Sequence, residues 1–198
     1  MKTRTVALVV FTTVVVAGSA GFLGARWLDE SEPQAVTSSP APQPSETDVD
    51  EASLAINGFG PIRVGMTLAE ASESTRREIT IAYDSGRNCA YAEPRGGPEG
   101  LRFMVIDGEI VRIDIHSPSL TTLSGIHNGS GESEVYDAYP GRIRRERHPY
   151  DQGGSYLIYE PKDASDQEYL MIFETDGAVV TSFRSGFKQP VSFIEGCS

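Results

Sequence analysis

The chain has 198 residues, of which 39% are hydrophobic, and a formal net charge of −11. That length supports one sizeable core rather than two large ones. Its acidic balance argues against nucleic acid, whose phosphates demand clustered Lys and Arg.

The N-terminus reads as an export segment. Lys2 and Arg4 precede Thr5–Ala25, which carries no charge. Thr5–Val16 forms an apolar run, and Ala17–Ala20 supplies the small residues a signal peptidase requires. The uncharged stretch continues through Phe22 and Leu23 to a length that spans a bilayer, and Arg26–Trp27 follows as an interfacial anchor would. Residues 1–27 are therefore a cleaved signal or a retained membrane anchor, with the anchor preferred. Either way the remainder is exported, as a secreted protein or as one attached to the cell membrane and facing outward. Residues 28–52 include four prolines and no aromatic between Ser31 and Glu51. Such a composition cannot bury enough apolar surface to offset the ordering of the chain, so this stretch predicts a disordered stalk.

The folded domain is expected over residues 53–198. Thr67–Glu70 has the form of a capping box, in which hydroxyl and carboxylate each satisfy an orphan backbone N–H, and a helix is predicted from there to about Arg77. Ile79–Tyr83 and Cys89–Glu93 read as strands. Leu101–Ile115 then places Asp107–Gly108 between two β-prone runs, the signal for a type I′ hairpin.

The pattern recurs. Gly65–Ala71 matches Gly129–Val135, Tyr91–Pro94 matches Ile158–Pro161, and Asp107–Gly108 matches Asp176–Gly177. Three anchors in one order predict a repeat, with units of about 53–118 and 119–198. The fold class is α+β: two tandem units, each a helix plus about three to four antiparallel strands, packed as one sheet-and-helix layer domain. A unit this small cannot cover one sheet face alone, which is the physical reason to pair two. The phase of the hairpins is open, because the matching sets Phe173 and Phe183 opposite Met104 and Asp114.

Cys89 and Cys197 are an even pair in an exported chain and predict a disulfide across about 100 residues. His116, His127 and His148 lack the spacing of a metal site, and the chain carries no motif for a cofactor. His148, Tyr150 and Asp151, followed by Gly153–Gly154, make the most site-like string: an imidazole, a phenol and a carboxylate at one loop. Its functional reading is a hydrolytic enzyme, and its bland reading is a loop anchor; no nucleophile motif accompanies it. The basic run Arg142–His148 reads as a solvated strand or loop, with a phosphate or lipid-headgroup site as the functional alternative.

Gly65–Met66–Thr67 before an Ala/Glu helix, the repeated strand–turn–strand hairpin and the exported, doubled unit resemble the β-lactamase-inhibitor-protein fold. The helix-plus-sheet unit is similar to that of BamE-type outer-membrane assembly lipoproteins. The resemblance spans about residues 54–198. It implies a protein-binding sheet face and, as an alternative, inhibition of a secreted hydrolase. Each unit of the inhibitor family carries its own disulfide, whereas this chain has one cysteine pair in total. The resulting expectation is an exported, non-enzymatic domain that binds a protein or a cell-envelope component. Tyr91, Tyr156 and Tyr159, with His148 and Tyr150, are the contact candidates.

Overall fold

A computed structural model describes residues 49–197. The predicted export segment and nearly all of the predicted stalk lie outside the described residues. Among the described residues no helix is long and apolar enough to cross a membrane.

Folded structure begins earlier than the composition implies. A short 3-10 turn at Val49–Glu51 places Val49 and Ala52 in the core, 1% and 5% exposed. Residues 49–52 thus belong to the domain rather than to a stalk, because two small apolar side chains find partners supplied by later elements. A three-stranded meander follows, β1 (Leu54–Ala55), β2 (Gly58–Phe59) and β3 (Ile62–Arg63), which buries Leu54, Phe59 and Ile62 completely.

Helix α1 (Leu68–Thr75) starts where the capping box sets it. Thr67 Oγ1 accepts from the Glu70 N–H at 3.3 Å, and the Glu70 carboxylate accepts from the Thr67 N–H at 2.8 Å. Arg76, at φ +52, ends the helix in the left-handed conformation. Strands β4 (Ile79–Asp84), β5 (Cys89–Pro94), β6 (Leu101–Ile106) and β7 (Glu109–Ile115) complete the first unit. The second consists of α2 (Glu132–Ala138), β8 (Ile143–Arg147), β9 (Ser155–Tyr159), β10 (Tyr169–Thr175) and β11 (Val180–Phe187), and a short α3 (Lys188–Val191) closes the chain.

The eight long strands form one antiparallel sheet in the order β4-β5-β6-β7-β11-β10-β9-β8. Each unit contributes four strands, and the last strand of each meets at the centre, β7 against β11, with Ile115 opposite Phe183 and Asp114 opposite Arg184. Both helix starts also touch the hairpins in the same way, through bridges between Thr67 and Glu109 and between Gly131 and Val179.

Strand register corrects two of the three sequence matches. Each closing hairpin has one register shift, between Met104 and Val105 in the first and between Glu174 and Thr175 in the second. The Phe103–Ile113 pair therefore corresponds to Phe173–Phe183, a step of 70 residues rather than the 69 implied by the two Asp-Gly turns. The turns themselves differ. Asp107 and Gly108 both have positive φ, as a type I′ turn requires. In the second hairpin only Gly177 does, and the Asp176 N–H bonds the Val179 carbonyl, which moves Asp-Gly one place along the hairpin. Asp176 serves the turn instead with its side chain, which accepts from the Ala178 and Val179 N–H groups at 2.9 Å each. By the same registers Tyr91 corresponds to Tyr156, not Ile158: Tyr91 pairs with Met104, and Tyr156 with Glu174.

This register settles the phase. Phe103, Ile113, Ile115, Leu157, Phe173 and Phe183 share one face and form a single core with Ala71 of α1, Val135 of α2 and the meander residues. The opposite face carries Tyr91, Arg112, Asp114, Tyr156, Glu174 and Arg184, and against it pack α3 and the C-terminal residues.

Candidate functional site

The second face is built on strand alternation. Residues 112 and 114 of β7 and 184 of β11 point away from the phenylalanine core, yet they are buried: Arg112 and Asp114 are each 5% exposed, Arg184 is 7%. What buries them is the C-terminal strap, from α3 to Cys197. Val191 packs with Tyr156, Ile158, Leu170 and Ile172 in a second apolar cluster. Beyond it the strap crosses to the first unit, where Cys197 is bonded to Cys89 with Cα atoms 5.4 Å apart. The predicted disulfide is present. At Gly196, φ is +63 and a Cβ would lie 2.3 Å from the Tyr91 hydroxyl, so the strap approaches Tyr91 as only glycine allows.

Two buried arginines hold the strap by its backbone. Arg112 uses all three guanidinium nitrogens: Nε and Nη2 form a bidentate pair with Asp114 at 2.9 and 2.8 Å, Nη1 donates to the Pro190 and Phe193 carbonyls at 3.0 Å each, and Nη2 also donates to the Tyr91 hydroxyl at 2.8 Å. Arg184 Nε donates to the Val191 carbonyl at 2.8 Å and Nη1 to Glu174 at 3.2 Å, while its Cζ lies 5.2 Å from the Tyr156 ring centroid. Each arginine thus has a carboxylate and a tyrosine of its own unit. A buried charge is tolerable only when paired in this way. Burial, then the Asp114 charge, pushes the Tyr91 phenol up; burial, then Glu174, does the same at Tyr156, with Arg184 opposing.

Between strap and sheet, over the β7–β11 seam, is a cavity of about 230 Å³. Its walls include Tyr91, Arg102, Arg112, Asp114 and His116 from the first unit. Glu174, Ser182 and Arg184 come from the second, and Ile194–Gly196 from the strap.

The residues singled out in the sequence fall in different places. Tyr156 is buried within this network, and Tyr91 is half-buried against the strap. Tyr159 belongs to the other face, its ring 4.6 Å from that of Tyr139. These three tyrosines therefore do not form an exposed aromatic contact patch; each is committed to packing inside the domain. Tyr150 is 70% exposed, with its hydroxyl hydrogen-bonded to Glu195 of the strap, a bond that raises its pKa.

His148, Tyr150 and Asp151 do not converge. His148 Nδ1 accepts from the Tyr150 and Asp151 backbone N–H groups at 3.1 and 2.8 Å, so the ring proton is on Nε2, which donates to Glu174 at 2.8 Å. The Asp151 carboxylate accepts from the Gly153 N–H. With both ring nitrogens engaged, the histidine anchors a loop. The basic run is a paired strand: Arg144 contacts Glu146 and Glu160, and Arg145 contacts Glu132. Among the described residues no group of three or more His, Cys, Asp or Glu side chains could hold a metal ion.

Sequence reasoning missed Arg112, Asp114, Glu174 and Arg184. The signal was their place inside strands, out of phase with the apolar positions; what covers them comes from the far end of the chain.

No protein-family profile and no curated protein matches the chain. Two solved structures resemble it. The uncharacterized protein YfeY from Escherichia coli has a TM-score of 0.43 and 15% identity, covering 68% of this chain and 99% of its own. An extracellular protein containing an SCP domain from Bacillus anthracis str. Ames has a TM-score of 0.42 and 10% identity, covering 80% of this chain and 53% of its own. Likeness at that level carries no argument about function, and the site stands on its own chemistry.

Proposed function

We propose that the chain is an exported, non-enzymatic binding domain that recognises a cell-envelope component through the strap-covered face of its sheet. The observation that carries this reading is the charged cavity at the seam, walled by both units and by a strap that a disulfide ties down. A structural disulfide belongs to an oxidising compartment, which supports export. The matched hairpin registers support a duplicated unit, and pairing two units is what creates the seam where the cavity sits. In this reading the N-terminal segment stays in the membrane as an anchor; N-terminal sequencing of the exported protein, finding a start after Ala20, would overturn that part. In this reading the contact residues are the cavity's exposed rim, Arg102 and His116.

The test is crosslinking of the full-length chain in its own cell envelope, followed by pull-down, with wild type beside an Arg102→Gln/His116→Gln variant. A partner recovered by wild type and depleted in the variant is expected. Equal recovery by both, or none above background, would sink the assignment to this face. Recovery of a secreted hydrolase would instead support the inhibitor alternative.

A further inference from the structure

His148 is held through both ring nitrogens, and the two sides answer differently to a proton. Nε2 donates to Glu174 at 2.8 Å, a bond open to the neutral and the protonated ring alike. Nδ1 accepts the backbone N–H groups of Tyr150 and Asp151 at 3.1 and 2.8 Å, which only the neutral ring can do. A proton on Nδ1 sets a third donor against those two. The Asp151 carboxylate, closest along the chain, is turned instead to the Gly153 N–H at 2.9 Å.

The groups packed around the ring do not offset that conflict. Glu174 of β10 favours imidazolium, but Arg184 of β11 shares its carboxylate at 3.2 Å and opposes it. Tyr156 of β9 meets the ring edge-on with centroids 4.9 Å apart, and the loop's own Tyr150 lies at 6.3 Å. Arg147, the preceding residue on β8, adds a further positive charge. The His148 side chain is 10% exposed, so its proton arrives with opening of the loop.

The loop that depends on Nδ1 is also tied to the strap. The Tyr150 hydroxyl donates to Glu195, and Ile194–Gly196 form the outer wall of the seam cavity. The strap is fixed on either side of that wall, at Phe193 by Arg112 and at Cys197 by the disulfide. The wall is therefore the part that can move.

We infer that His148 is a proton-operated latch: protonation at Nδ1 expels the Tyr150 and Asp151 N–H groups, residues 149–153 lift, and the Tyr150 tie on the cavity's outer wall is lost. The closed loop takes the neutral ring and the open loop takes the proton, so the latch holds above the histidine range and releases as pH falls through it. As regulation of a binding site, this rests on the binding-domain reading, which makes the seam cavity that site.

Native-state amide exchange of the full-length chain between about pH 7.5 and 5.5, across the histidine range, reads the latch. An open-loop imidazole of ordinary pKa, about 6.5, makes the open population rise about tenfold over that interval. Protection at Tyr150 and Asp151 should fall by that factor while β10 keeps its own. His148→Asn is the discriminating variant: its side-chain carbonyl accepts where Nδ1 did and does not titrate, so protection should persist and lose its pH dependence. Ring-nitrogen chemical shifts of the wild type need no variant. They should show the Nε2–H tautomer at neutral pH and a doubly protonated ring as the loop opens. The Ile194 methyl resonance should shift at the same midpoint, and Tyr150→Phe should abolish that shift while the loop still responds. Protection that ignores pH, or that falls equally in His148→Asn, overturns the latch, as does a ring carrying its proton on Nδ1 at neutral pH. An Ile194 methyl that does not titrate overturns the coupling to the cavity. None of these readouts needs a partner, so the latch and the pull-down stand or fall separately.

Discussion

Replacing Cys89 and Cys197 with alanine tests how the strap stabilises the fold. The bond closes a loop of 108 residues. For a loop that long, the loss of unfolded-chain entropy corresponds to about 4–5 kcal/mol at 25 °C, a ceiling that real disulfides often fall short of. In a domain of this size that is a large share of total stability, about 5–15 kcal/mol, and corresponds to a drop in Tm on the order of 10 °C. The folded state itself should change little as far as Phe193, because Arg112 still holds the Pro190 and Phe193 carbonyls and Arg184 the Val191 carbonyl. Beyond it, Ile194–Gly196 should loosen. Urea unfolding gives the first quantity, and native-state amide exchange gives the second. The expected result is a loss of about 2–5 kcal/mol with protection in β7 and β11 retained. A loss under about 1 kcal/mol would refute the entropic argument. Loss of protection in β11 under native conditions would refute the claim that the arginines dock the strap independently.

Asp114→Asn leaves the Arg112 guanidinium buried without its counter-charge and should cost about 3–5 kcal/mol in urea unfolding; Arg102→Gln, breaking the half-exposed pair with Glu93, should cost under about 1 kcal/mol. Similar costs for the two would contradict the burial argument. Phe173→Ala removes a fully buried ring from the centre of the main core and should cost about 3–5 kcal/mol by the same assay. Stability should also fall in acid for an assignable reason. Glu70 is held below the usual carboxylate range by the Thr67 N–H and then its hydroxyl, and Asp176 by the Val179 and Ala178 N–H groups. Folded values below unfolded ones mean that the unfolded chain takes up protons first, so this contribution is present above about pH 5 and lost as pH falls through the carboxylate range. Glu70→Gln/Asp176→Asn should flatten the acid limb of a Tm-against-pH curve; an unchanged slope would show that other groups set it.

Local signals were legible where the physics is local. Thr67 and Glu70 cap α1 because both partners sit three residues apart, and Asp107–Gly108 makes its turn because both φ values are positive. The disulfide was legible because two cysteines in an exported chain leave one pairing. The matching strings were visible, but the strand registers set the two hairpins one residue out of step at the second turn, since Asp-Gly served two different turn geometries. Where the folded domain begins was misplaced for a different reason: Val49 and Ala52 look like stalk until later elements supply their contacts.

The sequence by itself determined the class of fold, an α+β chain of two helix–sheet units with one cysteine bridge, because periodicity, capping and turn chemistry act over a few residues. Only the tertiary structure decided the site. Arg112 and Arg184 read as ordinary outward positions of two strands, and nothing near them in sequence buries them. Their burial, their carboxylate partners and the cavity between them arise when β7 meets β11 and the strap returns across more than seventy residues to lie on Arg112. Long-range coverage converts exposed charges into a buried, directional network, and no local pattern records it.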